Sequence, residues 1–243
     1  MLSADGYEIP ALRQALVVAC YAMIDFELKN IDPEDIEDLL VKVEKSFNIK
    51  FVSNEFTGLS TFGELCDHIT NKIQLDHSDS CATQQAFYKL RNAISATTNI
   101  SNIKTDTLLS DILPRQKRLS LVRQIENQLG FKLPLLRPKY FITGTLILVF
   151  LVSLGGLFIS WKIGLMLLVF SLVGLRIANK FGKELDIKTL GELTEKMTRE
   201  HYLKSRRNST TFNRNEIENI LTEWFSKDLY LDKSKLTRDA EFL

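Results

Sequence analysis

Two cysteines and two histidines between residues 66 and 81 are the residue types most able to bind a metal ion. Cys66, His68, His77 and Cys81 have the spacing C-x-H-x8-H-x3-C, which differs from the Cys and His spacings of structural zinc sites. Side chains two positions apart on a helix point in different directions, so Cys66 and His68 are poor partners for one ion. We therefore predict no metal site here.

The rest of the sequence offers no nucleophile motif, glycine-rich phosphate loop or paired-carboxylate arrangement. The net charge of +1 argues against a nucleic-acid-binding protein. Three cysteines cannot form a complete disulfide framework, which favours a reducing compartment. These features predict a protein that binds other molecules, has no cofactor and is not an enzyme.

A pair of apolar segments is the strongest structural signal. Residues 141–160 contain no charged side chain, and residues 163–175 form a second uncharged run after Trp161 and Lys162. About 20 apolar residues in a helix can cross a hydrocarbon core about 30 Å thick. We predict a transmembrane helical hairpin over residues 140–178; the alternative is a helical hairpin buried inside a soluble core.

Basic residues beside the hairpin predict its orientation. Eight lysines and arginines flank the two segments, whereas the turn has only Lys162. Cytoplasmic loops carry the excess of positive charge, so we expect a two-pass membrane protein with both termini in the cytoplasm. The eight flanking residues are Arg123, Lys132, Arg137, Lys139, Arg176, Lys180, Lys183 and Lys188.

Several of these cations are candidates for contact with membrane lipid. Arg115, Lys117 and Arg118 open a predicted helix, where positive charge opposes the helix dipole. Anionic headgroups would explain them, because the first apolar segment begins about 20 residues later. The candidate headgroup residues are Arg115, Lys117, Arg118, Arg137, Lys139, Arg176 and Lys180.

An internal repeat flanks the hairpin. Residues 61–70 parallel residues 189–198, and both begin with Thr-x-x-Glu, the pattern of a helix capping box. Amphipathic helices are predicted upstream of each copy, over residues 35–47 and 118–129. Such a repeat indicates two related domains. A mostly apolar core helix is also predicted over residues 12–28.

This arrangement resembles the acyl carrier protein fold, a small right-handed four-helix bundle. Residues 32–39 fall on the Asp-Ser-Leu signature of that family, and residues 108–134 provide a second match. The resemblance implies an all-α fold with two four-helix bundles, the second interrupted by the hairpin. The serine that would carry phosphopantetheine is replaced by Pro33 and Arg115, so we expect neither copy to be modified.

The C-terminal segment resembles the first helix and following loop of a carrier, and the chain stops where the second helix would begin. We expect this segment to pack on the first copy, in cis or from a neighbouring subunit. The predicted domains are residues 1–76, residues 83–139 with 179–203, the hairpin at 140–178, and residues 212–243.

Five carboxylates open the helix of the first copy. Carriers dock partners through this helix, so the resemblance implies a surface for a basic protein partner. Solvated carboxylates that favour the helix dipole, or contact with the basic set of the second copy, are the alternatives. The candidate residues are Asp32, Glu34, Asp35, Glu37 and Asp38.

The sequence therefore predicts a non-enzymatic adaptor that docks or neutralises a protein partner at the cytoplasmic face of a membrane. Two alternatives remain: an acyl-carrier-type protein of membrane lipid metabolism that uses an unrecognised serine, and a small membrane homo-oligomer or transporter subunit. The absence of charge within residues 141–175, apart from Lys162 at the turn, argues against an ion path.

Overall fold

The computed structural model describes residue 28, residues 31–52 and residues 55–242. These residues are mostly helical with a few very short strands, which confirms the predicted all-α class. The predicted helix over residues 12–28 lies outside the described residues, except for Leu28. The chain divides into two compact units: unit 1 comprises the chain up to Ser80 together with the chain from Thr210 onward, and unit 2 comprises Cys81–Ser209.

The described elements are helices of 4 to 20 residues and four strands of two residues each. The helices are α1 (Pro33–Phe47), α2 (Phe62–Lys72), α3 (Ala82–Thr98), α4 (Leu109–Ile112), α5 (Arg118–Leu129), α6 (Tyr140–Ile159), α7 (Trp161–Lys180), α8 (Leu190–Glu200), α9 (Tyr202–Ser205) and α10 (Arg214–Asp228), with a 3-10 turn at Lys233–Lys235. The strands are β1 (Asp76–His77), β2 (Leu136–Arg137), β3 (Glu184–Leu185) and β4 (Thr211–Phe212).

Helix α1 forms where local signals agree. Asp32 caps its start by accepting from the Glu34 N–H at 3.0 Å, and Pro33 occupies the first helical position, where a missing N–H costs nothing. Asn48 ends the helix in the left-handed conformation (φ 52°). Leu39 and Val43 lie on the buried face, so α1 turns one apolar stripe towards the core of unit 1.

The C-terminal helix supplies much of the core of unit 1. The ring of Trp224 on α10 meets that of Phe47 on α1 at 6.2 Å, and the ring of Phe225 meets that of Phe62 on α2 at 5.1 Å. All four side chains are buried. Unit 1 is therefore built from two parts of the sequence that are far apart along the chain.

The loop after α10 holds the start of α2. The Phe62 N–H donates to the Ala240 carbonyl and the Gly63 N–H donates to the Arg238 carbonyl, each at 2.8 Å. A Cβ atom at Gly63 would lie 2.7 Å from the Arg238 carbonyl oxygen, so this close approach requires glycine. Strands β1 and β4 add a short parallel pairing, with Asp76 opposite Thr211.

The core of unit 2 lies between α3, α5 and α8. It includes Leu90 and Ile94 from α3, Val122 from α5, and Leu193 and Met197 from α8, all nearly inaccessible to solvent. The loop after α3 holds the start of α8 as the loop after α10 holds α2. The hydrogen bonds run from the Leu190 N–H to the Thr107 carbonyl (3.0 Å) and from the Gly191 N–H to the Thr105 carbonyl (2.7 Å).

The predicted capping boxes differ in completeness. At α2, Thr61 accepts from the Glu64 N–H, and the Glu64 carboxylate accepts from the Thr61 N–H at 3.1 Å, which completes the box. At α8, Thr189 accepts from the Glu192 N–H, but the Glu192 carboxylate accepts from the Lys188 N–H at 3.0 Å instead. Of the two hydrogen bonds of the predicted second capping box, only the one accepted by Thr189 is therefore present.

Helices α6 and α7 form a hairpin with a turn at Ser160. Small residues let them approach closely: a Cβ atom at Gly174 would lie 2.8 Å from the Leu146 side chain. The side chains of Ser153 and Ser171 are fully buried between the helices, and their hydroxyls donate to the Phe150 and Leu168 carbonyls of their own helices. The pair is thus packed internally and exposes its outer surface.

Candidate membrane and partner surfaces

The outer surface of the hairpin is apolar and almost wholly exposed. Tyr140–Phe158 and Trp161–Lys180 are both long and apolar enough to cross a membrane, and only 6% and 11% of their most apolar windows are buried. Helix α7 extends beyond the predicted run of 163–175 by including Trp161 and Lys162 at its start and Arg176 to Lys180 at its end. Nothing in the described chain covers this surface.

The predicted acidic residues all lie at the exposed start of α1. We call Asp32, Glu34, Asp35, Glu37 and Asp38 the acidic turn. The Asp32 carboxylate caps the helix, whereas no hydrogen bond or ion pair joins the other four carboxylates to a described residue. All five side chains of the acidic turn are exposed to solvent.

The corresponding turn of unit 2 is held by internal contacts. Helices α1 and α5 can be aligned position by position, because an equivalent hydrogen bond follows near the end of each. The Glu44 carboxylate accepts from the Phe51 N–H at 2.6 Å, and the Glu126 carboxylate accepts from the Leu133 N–H at 2.8 Å. This alignment places Arg115, Lys117 and Arg118, which we call the basic turn, where unit 1 has Pro33, Asp35 and Ile36.

Arg118 is a buried part of the basic turn. Its Nε donates to the Leu113 carbonyl at 2.9 Å, and its Nη1 donates to the Lys183 carbonyl at 2.6 Å. Burial lowers the pKa of its guanidinium, with Glu184 opposing and Arg115 adding to this effect. Arg118 thus links the start of α5 to the chain that leaves the hairpin.

Arg115 and Lys117 are exposed. Arg115 forms an ion pair with Glu184 at 2.5 Å, whereas Lys117 lies at the start of α5 without a capping side chain. In unit 2 the guanidinium of Arg115 therefore reaches towards β3. In unit 1 the same position is Pro33, the first residue of α1.

A two-stranded ribbon joins the hairpin to the helices of unit 2. In this ribbon β2 and β3 are antiparallel, with Leu136 opposite Leu185 and Arg137 opposite Glu184. Gly182 packs so closely that a Cβ atom would lie 2.5 Å from the Arg137 carbonyl carbon. We call residues 135–139 and 182–186 the hairpin base.

The remaining predicted headgroup residues cluster at this end of the hairpin. Arg137 stacks over the Tyr140 ring at 3.8 Å and lies 3.5 Å from the Asp186 carboxylate. Its Nε and Nη1 atoms are buried without a hydrogen-bond partner among the described residues. Lys139 precedes α6, and Arg176 and Lys180 lie in the last turns of α7, all three exposed. The structure thus brings these four residues to one end of the two helices.

A cleft of about 380 Å³ opens at the hairpin base. Both long helices contribute to its wall, through Ile142 of α6 and Gly174, Ile177 and Ala178 of α7. Arg115, Lys139, Lys183 and Glu184 line its polar side. Lys183 was predicted only as one of the basic residues that orient the hairpin, and Glu184 was not predicted. Both residues follow the second apolar segment closely in the sequence, and this position could have indicated them.

The residues first considered as metal ligands are not brought together. Cys66 is buried, and burial raises the pKa of its thiol to about 12. His68 lies 2.7 Å from Glu55, and His77 lies 2.9 Å from Asp79. In the described part of the chain no group of three or more His, Cys, Asp and Glu side chains is arranged to hold a metal ion.

Glu55 organises a small polar cluster in unit 1. Desolvation opposes its ionisation, but Lys72, the Val52 N–H and His68 donate to the carboxylate and lower its pKa to about 2. The Lys72 ammonium also lies 5.5 Å from the centre of the Phe51 ring. This cluster ties the end of α2 to the loop between α1 and α2.

Comparison with known proteins gives no relative: no family profile, curated protein or solved structure matches this chain.

Proposed function

We propose that this chain is a two-pass membrane protein that acts as a non-enzymatic adaptor on the cytoplasmic side of a bilayer. In this proposal α6 and α7 span the bilayer, and both units face the cytoplasm. The acidic turn of unit 1 docks a basic protein partner. The exposed apolar surface of the hairpin is the observation that carries the proposal.

The outer surface of the hairpin is too apolar to be stable in water. Eighteen large apolar or aromatic side chains are exposed between Tyr140 and Ile177. Leaving such a side chain in water rather than burying it costs about 1.5–3 kcal/mol. Together these side chains form an apolar surface larger than the exposed patches of soluble monomers, and such a surface marks a contact with a membrane or with another protein. Lipid provides an apolar environment along the whole length of both helices.

The charge distribution supports the orientation. The eight basic residues counted above flank the spans, and only Lys162 lies at the opposite turn.

A single-cysteine test separates the two sides. In a chain without its native cysteines, we expect Lys162→Cys to react with a membrane-impermeant maleimide from outside intact cells. Glu37→Cys should react only after the cells are permeabilised; the reverse pattern would overturn the orientation.

The docking proposal is supported by the contrast between the two turns. Arg118 of the basic turn is buried and bonded, and Arg115 is paired with Glu184. The acidic turn has no comparable described contacts beyond the Asp32 cap. Exposed charges of one sign raise the association rate of an oppositely charged partner and select against like-charged ones.

A charge-removal experiment tests the docking proposal. Glu34→Gln, Asp35→Asn and Asp38→Asn, combined in the full-length chain, should weaken partner recovery from solubilised membranes by roughly tenfold or more. A matched triple variant, Asp76→Asn, Asp106→Asn and Asp239→Asn, removes three exposed charges elsewhere and should retain the partner. Equal recovery by both triple variants would contradict docking through the acidic turn.

In this proposal neither unit carries a phosphopantetheine arm. The positions that would carry it are Pro33 and Arg115, which have no hydroxyl to receive one. The chain co-expressed with a phosphopantetheinyl transferase should keep its unmodified intact mass. One added arm would favour the carrier alternative instead. Detergent-phase crosslinking that gives defined oligomers through the hairpin would favour the membrane-oligomer alternative.

A further inference from the structure

The cleft at the hairpin base combines an apolar wall with a cationic rim. Ile142 and Ile177 come from opposite helices of the hairpin and face the same space. Lys139 and Lys183 lie on the rim just outside the ends of these helices. A space of about 380 Å³ is in the range of small-ligand sites and suits a headgroup with the first part of an acyl chain.

The rim carries excess positive charge. Glu184 is already paired with Arg115 at 2.5 Å, so these two charges compensate each other. No hydrogen bond or ion pair joins the ammonium groups of Lys139 and Lys183 to a described residue. Two uncompensated lysines beside an apolar wall match a ligand with an anionic head and an apolar tail.

The cleft is built on fixed backbone. The Lys183 carbonyl accepts from Arg118, and Gly182 is packed against the Arg137 main chain. The β2–β3 pairing and the hydrogen bond from the Asp186 N–H to the Leu135 carbonyl (3.1 Å) hold both sides of the hairpin base together. Lys183 is therefore positioned by a buried framework, and Arg118 acts as a positioning residue.

We propose that this cleft binds one anionic glycerophospholipid. Its phosphate lies between Lys139 and Lys183, and an acyl chain follows the surface of Ile142 and Ile177. This inference rests on the membrane placement proposed above, which puts the hairpin base at the headgroup level of the cytoplasmic leaflet. Lys139 and Lys183 then select lipid charge, and the apolar wall favours a lipid over a soluble phosphate.

The test uses the full-length chain in nonionic micelles, titrated with dioctanoyl phosphatidylglycerol and read by native mass spectrometry. Dioctanoyl phosphatidylcholine and inorganic phosphate serve as comparison ligands. Lys139→Gln with Lys183→Gln removes the proposed phosphate contacts. Lys132→Gln with Lys162→Gln makes the same change in charge away from the cleft. Ala178→Phe fills the cleft and keeps every charge.

The wild type should prefer phosphatidylglycerol to phosphatidylcholine by at least about tenfold, since each lysine near an anionic surface contributes roughly fivefold. The Lys139/Lys183 variant should bind phosphatidylglycerol roughly 20-fold more weakly. Ala178→Phe should also lose binding, and the Lys132/Lys162 variant should stay within about twofold of the wild type. Unchanged circular dichroism spectra and melting curves of the variants would exclude misfolding as the cause.

Several outcomes would overturn the cleft assignment: equal binding of the two lipids, equal loss in both double-lysine variants, or retention of binding by Ala178→Phe. Competition by inorganic phosphate at the same concentration as the lipid would assign the rim to a soluble anion and would also overturn it. Membrane fractionation of the same chain separates the two proposals. A chain that stays soluble without detergent refutes the membrane placement, whereas a membrane-embedded chain without lipid preference refutes only the cleft.

Discussion

Units 1 and 2 place opposite charges at the same turn and use that turn differently. In unit 2, Arg118 is buried at the start of α5 and holds the chain that leaves the hairpin. In unit 1, Ile36 occupies the aligned position, and the surrounding carboxylates face solvent. The comparison shows that the start of α5 is held by contacts within its unit, whereas the equivalent start of α1 is exposed to solvent.

The two units also reach similar local geometry by different chain orders. The Gly191 N–H of unit 2 bonds to a loop that precedes it by about 85 residues, whereas the Gly63 N–H of unit 1 bonds to Arg238, far downstream. The two loops follow α3 and α10 respectively. Unit 1 therefore depends on contacts between the two ends of the described chain, and unit 2 does not.

Deleting residues 212–243 should have the largest effect and should be confined to unit 1. The deletion removes Trp224 and Phe225, and losing one buried aromatic side chain alone typically costs about 3–5 kcal/mol. Hydrogen exchange should show loss of protection over residues 32–74, while α3, α5 and α8 retain theirs. Unchanged protection of α1 and α2 would show that the packing of α10 contributes little to unit 1.

Arg118→Met should destabilise unit 2 by about 2–3 kcal/mol, because it leaves the Leu113 and Lys183 carbonyls without their charged donor. Ile36→Met at the aligned position of unit 1 should cost less than about 1.5 kcal/mol, since it exchanges one apolar side chain for another. Hydrogen exchange of each unit under increasing denaturant measures both changes. Similar destabilisation by Arg118→Met and Ile36→Met would contradict the conclusion that only the turn of unit 2 is held by internal contacts.

Acid should weaken unit 1 through Glu55. The pKa of its carboxyl is lowered from 4.5 to about 2 in the folded chain, so ionised Glu55 stabilises unit 1 above about pH 4.5. That contribution is lost as the pH falls from about 4.5 towards 2. Glu55→Gln should remove about 1–3 kcal/mol at pH 7 and flatten this part of the pH profile. The control is unit 2, whose stability should respond equally to pH in both chains.

The smallest expected difference is between two glycines at matching helix starts. A Cβ atom would lie 2.7 Å from the Arg238 carbonyl oxygen at Gly63, but 3.1 Å from the Thr105 carbonyl oxygen at Gly191. Gly63→Ala should therefore cost about 1–2 kcal/mol, and Gly191→Ala should cost less than about 1 kcal/mol. Thermal unfolding of the two variants, followed by hydrogen exchange, gives the comparison. A larger cost at Gly191 would contradict the closer approach at Gly63.

Several features could be predicted because they depend on neighbouring residues. Thr61 and Glu64 are three positions apart and form the predicted capping box. The apolar run after Tyr140 forms the predicted long helix, within one residue of its expected ends. The apolar spacing of residues 87–94 predicts only the middle of α3. The helix spans Ala82–Thr98, since small and polar residues extend it on both sides.

The candidate lipid site was predictable only in part. The count of flanking charges predicted that Arg137 and Lys139 lie near the membrane. The helix-dipole argument added Arg118, whose side chain the structure places inside unit 2. No local pattern distinguishes an arginine that donates to the carbonyl of Lys183, 65 positions away, from one that faces lipid. The acyl carrier resemblance, the docking role and the side of the membrane remain proposals.

The sequence by itself determined the helical class, the repeated helix starts and the two apolar helices, because capping, periodicity and hydrophobic length are local properties of the chain. Only the tertiary structure decided which charges are engaged and which are free, and where a cleft opens. Those outcomes depend on backbone carbonyls and side chains that meet from distant positions, and their distances are set by the packing of whole helices.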